Sequence, residues 1–463
     1  MDVAWIILDA LSFEATPFAA DGPDTMPELS ALAEEHGVVF TEAYAPGTAS
    51  PSSHASMFTG ELPSRTGMHE ASPYFDSDLP TVGDALADTH RSLMISYNPF
   101  IFNGLERGFD VTDDLRGSQY MVFDEATDPR KFLVANRDTP VPKRYVRFLR
   151  EGGKPIRTFV NGVSFKLWDR RADNGRPEAI EAEAAQYQYA TKMNREIRSF
   201  LDDTSGAGED SFVVANYMDI HPPLGASDEA LDRFAPGRSR EELPIGERSP
   251  EIIERIEAGD ETAGEDMETL YHAAIWDTDR KVGPLVREMV ESGTHVIVTA
   301  DHGSRFTGHS SLDDRRIHVP LLVFAPDADP RTVDHSVNIR SMAATTLAQV
   351  APGRDTFDGY DLLEVTEDKV SITEFIHDSS PTGNSVSAFG DFETVQYDVT
   401  GIKGDTRVDW IDGGFRDLGD SETEQELATI IEDLQTEGLD TTARSPVEYD
   451  QDTQERLEDL GYL

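Results

Sequence analysis

Val3-Ala4-Trp5-Ile6-Ile7-Leu8-Asp9 and His295-Val296-Ile297-Val298-Thr299-Ala300-Asp301-His302 follow one plan, a largely apolar run that ends on an acid. A run without polar alternation is what a strand shows when both faces of a parallel sheet are covered. In such sheets ligands gather beyond the carboxyl ends of the strands, where Asp9 and the Asp301-His302 pair fall. Two carboxylates and an imidazole on neighbouring rigid strand ends suit a divalent cation. Each has a plainer reading too, because an Asp after a strand commonly caps a turn or a helix. Found together, at the ends of two such strands, they say more than either alone.

Working outward, residues 38–40, 92–96, 211–218 and 319–324 read as further strands, and 26–36, 178–201 and 267–290 as helices. Strands alternating with helices predict an α/β fold, a large mainly parallel sheet with helices on both faces. Residues 45–53 read as a loop, with a helix from 54 that Gly60 terminates. Residues 125–175 are rich in Arg, Asp and Gly, and 225–265 are polar and acidic with several Pro and Gly; both read as insertions. After about residue 385 short strand-like pieces appear at 392–397, 399–403 and 408–411, followed by an acidic helical stretch at 422–434. The expected division is a catalytic domain at 1–385 and a small C-terminal α+β subdomain, an antiparallel sheet with an acidic helix, at 386–463.

The chain has 463 residues, 88 acidic against 40 basic, for a formal net charge of −48. The acid is spread along the chain, as in a folded protein built for strong screening of self-repulsion, which points to a halophilic source. The same charge excludes non-specific binding to nucleic acid or to an anionic membrane. No apolar run approaches the roughly 20 residues of a membrane span. The run at 3–8 lacks the length and basic flank of a signal peptide, so the expected compartment is the cytoplasm. There is no cysteine, which rules out disulfides, thiolate metal sites and a thiol nucleophile.

Several segments, in order along nearly the whole chain, resemble the sulfatase family of the alkaline-phosphatase superfamily. Trp5-Ile-Ile-Leu-Asp9 is similar to that family's opening strand and metal aspartate. Phe40-Thr-Glu-Ala-Tyr44-Ala-Pro46 and Ser50-Pro-Ser-Ser-His-Ala-Ser-Met-Phe-Thr-Gly60 resemble its nucleophile segment. Asn98-Pro99 and Gly104-Leu-Glu-Arg-Gly-Phe-Asp110 resemble the next block, and Tyr217-Met-Asp-Ile-His-Pro-Pro223 the one after. Thr299-Ala-Asp-His-Gly303, His309 and His318-Val-Pro-Leu-Leu322 match the second metal segment; Asp358-Gly-Tyr-Asp-Leu-Leu363 and the terminal stretch at 457–463 also fit.

The resemblance implies an alkaline-phosphatase-like fold and a metal-dependent hydrolase of anionic esters, sulfate or phosphate, on a small molecule or a glycan. It implies one or two divalent ions (Ca, Mn, Mg or Zn) held by Asp9, Asp301 and His302, with Ser50 at the nucleophile position and also touching the metal. Formylglycine-type sulfatases carry a Cys or Ser that is oxidised, followed four positions on by Arg; here His54 stands at that Arg position. A hydroxyl acting directly, activated by the metal, is then the simpler reading. Thr48 and Ser52 are the alternatives to Ser50 in this hydroxyl-rich loop. His221 and His309 would contact the anion or protonate the leaving oxygen, while His54, Asn98 and Arg305 would bind substrate; His318 reads as structural. Ala10 stands where many relatives place a second metal carboxylate. Two other readings stay open, a phospho-headgroup transferase of the same superfamily and an inactive anion-binding homologue.

Overall fold

The computed structural model describes residues 1–70, 72–115, 141–150, 154–172, 178–247, 249–260, 262–304, 312–354, 356–378 and 395–437, with isolated positions between 123 and 132. The strands are β1 (Val3–Leu8), β2 (Val38–Phe40), β3 (Ala43–Tyr44), β4 (His90–Ser96), β5 (Val111–Asp114), β6 (Asp210–Tyr217) and β7 (His295–Thr299). They continue with β8 (Leu321–Phe324), β9 (Arg331–Val333), β10 (Val337–Asn338), β11 (Ser371–Asp378), β12 (Val395–Lys403), β13 (Thr406–Ile411) and β14 (Gly414–Arg416). Eight of them form the main sheet in the order β5-β4-β6-β1-β7-β8-β2-β9. All neighbours are parallel except where β8 pairs with β7 and β2. This is the expected α/β architecture, a large mainly parallel sheet flanked by helices.

The central order decides where the chemistry sits. β4, β6, β1 and β7 are consecutive and parallel, so the residues at and just beyond their carboxyl ends share one rim. Register makes this concrete: Asn216 of β6 faces Ile7 of β1 on one side and Ser96 of β4 on the other. Asp9, Asn98 and Asp301 follow within two residues of their strands. All six residues of β1 are buried, as the unbroken apolar run requires. Trp5 fills the layer beneath the rim, edge-on to Phe58 at 5.5 Å and to Phe212 at 5.7 Å, and its indole N–H donates to Thr346 Oγ1 at 2.9 Å. That packing seats the helix Ser50–Thr59, every residue of which is buried, on the end of the sheet.

This helix begins four residues earlier than its sequence pattern indicates, at Ser50, because Pro51 in its first turn has the fixed φ that a helix start favours. It stops at Gly60 as expected; φ is +78° there, and a Cβ would lie 2.1 Å from the Asp358 carbonyl oxygen. Within the first insertion the described residues include two helices, Val141–Arg150 and Pro155–Ala172, so Arg- and Gly-rich composition hid regular structure. The second insertion likewise holds the helices Asp228–Phe234 and Ser249–Glu257.

The C-terminal sheet is antiparallel, ordered β11-β12-β13-β14, and its first strand lies ahead of residue 386. The pieces read separately at 392–397 and 399–403 are one strand, β12, within the described residues. Ile372, Ile376, Tyr397, Val399 and Val408 form its core with Leu427 and Ile431 from the helix Glu422–Glu437. β11 also runs beside the loop before Ser50: Glu374 N donates to the Pro46 carbonyl at 2.9 Å and Thr373 Oγ1 to the Ala45 carbonyl at 2.6 Å. The buried Glu374 carboxylate accepts from Ser64 N at 2.7 Å, Ser64 Oγ at 2.8 Å and Tyr397 Oη at 2.5 Å. Glu374→Ala leaves those donors unpaired and is expected to cost roughly 2–4 kcal/mol, read by denaturant titration. An unchanged midpoint would mean that this tie does not hold the two parts together.

Candidate active site

Asp9, Asp301 and His302 converge at the rim of the sheet, each offering one ligand atom, and these atoms lie within 4.8 Å of one another. All three are buried. Asp9 is pinned by two amides, one just beyond β4 and one on the adjacent strand β6: Asn98 Nδ2 donates to its Oδ2 at 2.7 Å and Asn216 Nδ2 at 3.2 Å. Asp301 is pinned by backbone, its Oδ1 accepting from His302 N at 2.9 Å and from Ala10 N at 3.2 Å. Ala10 reaches Asp301 in the left-handed region, at φ 63°, and Tyr271 Oη holds the bend by donating to the Ala10 carbonyl at 2.6 Å. At this position the chain contributes a backbone donor rather than a carboxylate.

Among the described residues Asp9 Oδ1 and Asp301 Oδ2 are left buried with no hydrogen-bond partner. Burial, then the neighbouring Asp301 charge, pushes the Asp9 carboxyl well above the usual carboxylate range. Burial opposes ionisation of Asp301 as well, but His302, His54 and the Ala10 N–H favour its carboxylate and hold it below the ordinary value. Burial drives the His302 imidazole down to about 3. Two buried carboxylates, each with an oxygen that no described donor reaches, beside an imidazole form a donor set that suits a cation. The residues present therefore fit a divalent metal.

Ser50 stands at the start of its helix with Oγ 3.5 Å from Asp9 Oδ2 and 3.4 Å from His302 Nε2. The alternatives are engaged elsewhere: Thr48 Oγ1 donates to Glu70 at 3.2 Å, and Ser52 Oγ to the Ala49 carbonyl at 2.9 Å. Ser53 Oγ donates to the Asp301 carbonyl at 2.5 Å and so joins the helix to the second metal loop. His54 lies one turn on, fully buried, its Nδ1 2.8 Å from the Ser50 carbonyl and its Nε2 3.2 Å from Asn216 Nδ2. Both ring nitrogens of His54 and both ends of the Asn98 amide are thus taken up by protein, since Asn98 Oδ1 accepts from Phe100 N at 2.9 Å.

His221 is buried near this group, close enough for the charges of Asp301 and Arg316 to act on it, and burial lowers it to about 4. Its Nδ1 lies 2.6 Å from the Pro222 carbonyl, which fixes that nitrogen as the donor and makes Nε2 the ring's basic atom. His318 is structural as read, bonded to the Thr41 carbonyl at 2.8 Å and stacked between Phe13 and Tyr44. Arg305 and His309 lie outside the described residues, as does the terminal stretch at 457–463.

Two participants escaped the sequence reading, Asn216 and Arg316. Asn216 had a signal, since it is the amide that ends the buried run Phe212-Val213-Val214-Ala215. Arg316 had none, because arginine after an acidic pair looks like any surface ion-pair residue.

The sulfatase family model matches residues 2–353, and the chain belongs to the sulfatase family; it is a sulfatase-like ester hydrolase. Sulfatase-family enzymes use a divalent metal, and Asp9, Asp301 and His302 form the possible ligand cluster here. No curated protein matches the sequence. Among solved structures it is similar to a phosphonate monoester hydrolase from Silicibacter pomeroyi, with 17% identity, TM-score 0.57 and 94% of each chain covered. Ps i-CgsB in complex with k-i-k-neocarrahexaose is 14% identical, with TM-score 0.59 over 100% of this chain and 99% of that one. BT4656 in complex with its substrate D-glucosamine-2-N,6-O-disulfate is 12% identical, with TM-score 0.56 over 96% and 99%. Likenesses at these identities establish the fold. Among the described residues no helix is long and apolar enough to cross a membrane.

Proposed function

We propose that the protein hydrolyses a sulfate or phosphate ester, on a small molecule or a glycan, with Ser50 as the nucleophile. The observation that carries this reading is the placement of the Ser50 hydroxyl, 3.5 Å from Asp9 and 3.4 Å from His302, on the rim that gathers the metal ligands. Asp9, Asp301 and His302 would hold the cation, and this set of oxygens with one imidazole suits Ca, Mn, Mg or Zn. When bound, the cation neutralises the carboxylates, lowers the pKa of an adjacent hydroxyl and draws charge from the ester oxygens.

The residues of the chain supply the rest. Ser50 Oγ attacks phosphorus or sulfur in line, its proton leaving to solvent, and the bond to the leaving oxygen breaks as the seryl ester forms. Ala49 at the helix N-cap has no side-chain acceptor; with Pro51 lacking an N–H and Ser53 N donating to the Ala49 carbonyl at 3.0 Å, the first-turn amides that would meet the anion are those of Ser50 and Ser52. His221 gives the leaving oxygen a proton; an anion bound beside it supplies the counter-charge that lets a buried imidazole hold one. Water then attacks the same atom, and Ser50 Oγ departs and regains a proton. His309 keeps the role that the resemblance implies, contact with the anion or protonation of the leaving oxygen, and Arg305, close to Asp301-His302 in sequence, that of clamping the anion.

His221→Ala is expected to slow alkyl esters about 10²-fold or more and nitrophenyl esters far less, because a good leaving group needs no proton. Equal losses on both would remove His221 from that role. The similar structures include a phosphonate monoester hydrolase and a protein bound to a sulfated sugar as its substrate, so both ester classes belong in the assay. The −48 charge fits a protein adapted to high salt, and the assay belongs in molar KCl. Turnover of aryl sulfate, phosphate or phosphonate esters should vanish with chelator and return with added cation. Inactivity on all of them with every cation would contradict the proposal.

A further inference from the structure

Arg316 ties together the two loops that carry the reacting groups. It lies in the short helical turn Asp314–Ile317, where its neighbour Arg315 turns away to pair with Glu14 and Glu268. Arg316 Nε donates to the Thr48 carbonyl at 2.6 Å, two residues before Ser50. Its Nη1 donates to the Gly303 carbonyl at 2.8 Å, while the Gly303 N–H donates back to the Arg316 carbonyl at 2.7 Å. The same Gly303 carbonyl takes the Nδ1 proton of His302 at 3.0 Å, which leaves Nε2 aimed at Ser50 Oγ. Only glycine fits at 303, since a Cβ would lie 2.0 Å from the Arg315 carbonyl oxygen. One guanidinium thus fixes the loop of the hydroxyl and the acceptor that orients the imidazole. A planar fork can hold two carbonyls in set directions at once; an ammonium cannot. Its charge also reaches inward, acting on Asp9, His302, His221 and Glu70.

We infer that Arg316 is the positioning residue that sets Ser50 Oγ against His302 and the metal ligands. The inference rests on Ser50 being the nucleophile. It is tested with the full chain loaded with Mn, comparing Arg316→Met, Arg316→Lys, Arg316→Ala and, in parallel, Ser50→Ala. Arg316→Met should lower kcat on the order of 10²-fold, the scale of a misplaced reacting group. Mn affinity, by calorimetry, should be unchanged or tighter because a nearby positive charge has gone. Arg316→Lys keeps the charge and should leave KM at the wild-type value, yet hold kcat at least about tenfold low because the fork is missing. Added guanidinium should raise the rate of Arg316→Ala several-fold, an effect that a merely destabilised fold would not show. A wild-type kcat in Arg316→Met, full recovery of kcat in Arg316→Lys, or Mn affinity lost in step with kcat would each overturn the inference. If Ser50→Ala turns over normally, the nucleophile assignment fails instead, and that variant alone reveals it.

Discussion

Asp9→Asn is expected to raise the melting temperature of the metal-free protein and to abolish the further rise that a divalent cation gives the wild type. The first effect follows from burial and like charge: Asp9 and Asp301 are buried side by side, each with one oxygen unpartnered among the described residues, so Asp9 must either stay charged against Asp301 or take up a proton on folding. Replacing one carboxylate by a neutral amide of the same shape removes that cost, about 1–3 kcal/mol in such a setting. The second follows from mass action, since a cation at a hundred times its Kd stabilises the fold by about 2.7 kcal/mol and the amide would weaken that binding. Activity should fall at least ~10³-fold, because the metal's share of transition-state stabilisation is several kcal/mol. Thermal melts with chelator and with Mn read both effects. A metal-induced shift that survives the substitution would place the cation elsewhere.

Ser50→Ala should behave in the opposite way, keeping the metal-induced shift and losing turnover. The side chain is small and its hydroxyl makes only long contacts, at 3.5 Å to Asp9 and 3.4 Å to His302, so the fold has little to lose. If Oγ is the attacking atom, kcat falls on the order of 10⁴-fold or more, as when other covalent nucleophiles are deleted. Steady-state rates on an aryl ester beside a Mn-binding isotherm separate the two properties. Thr48→Ala and Ser52→Ala serve as controls, because those hydroxyls are bonded to Glu70 and the Ala49 carbonyl.

The framework was legible because burial on both faces writes itself into composition. β1 and β7 announced themselves as apolar runs, and the acids at their ends fell on one rim once the strands proved adjacent. Chain order along the family's segments supplied Ser50 and His221. Less legible was anything decided by tertiary contact. The described helices inside the insertions carry mixed polar sequence, and their pattern is blurred by Gly and Arg. β12 was split in two by Asp398, whose polar side chain is matched by His377 on the neighbouring strand at 3.0 Å. The direction in which His54 and Asn98 spend their hydrogen bonds, and the reach of Arg316 across two loops, depend on residues far away in sequence. No local spacing encodes them.

The most direct test of Ser50 as the nucleophile of a metal-dependent ester hydrolase is to catch the bond it forms. The Mn-loaded enzyme would be mixed with excess aryl ester in high salt, quenched with acid within a turnover, digested and mapped by mass spectrometry. A phosphoryl or sulfuryl group on Ser50 itself, absent with chelator and absent in Asp9→Asn, is the predicted result. Turnover without any such adduct, together with full activity in Ser50→Ala, would contradict it.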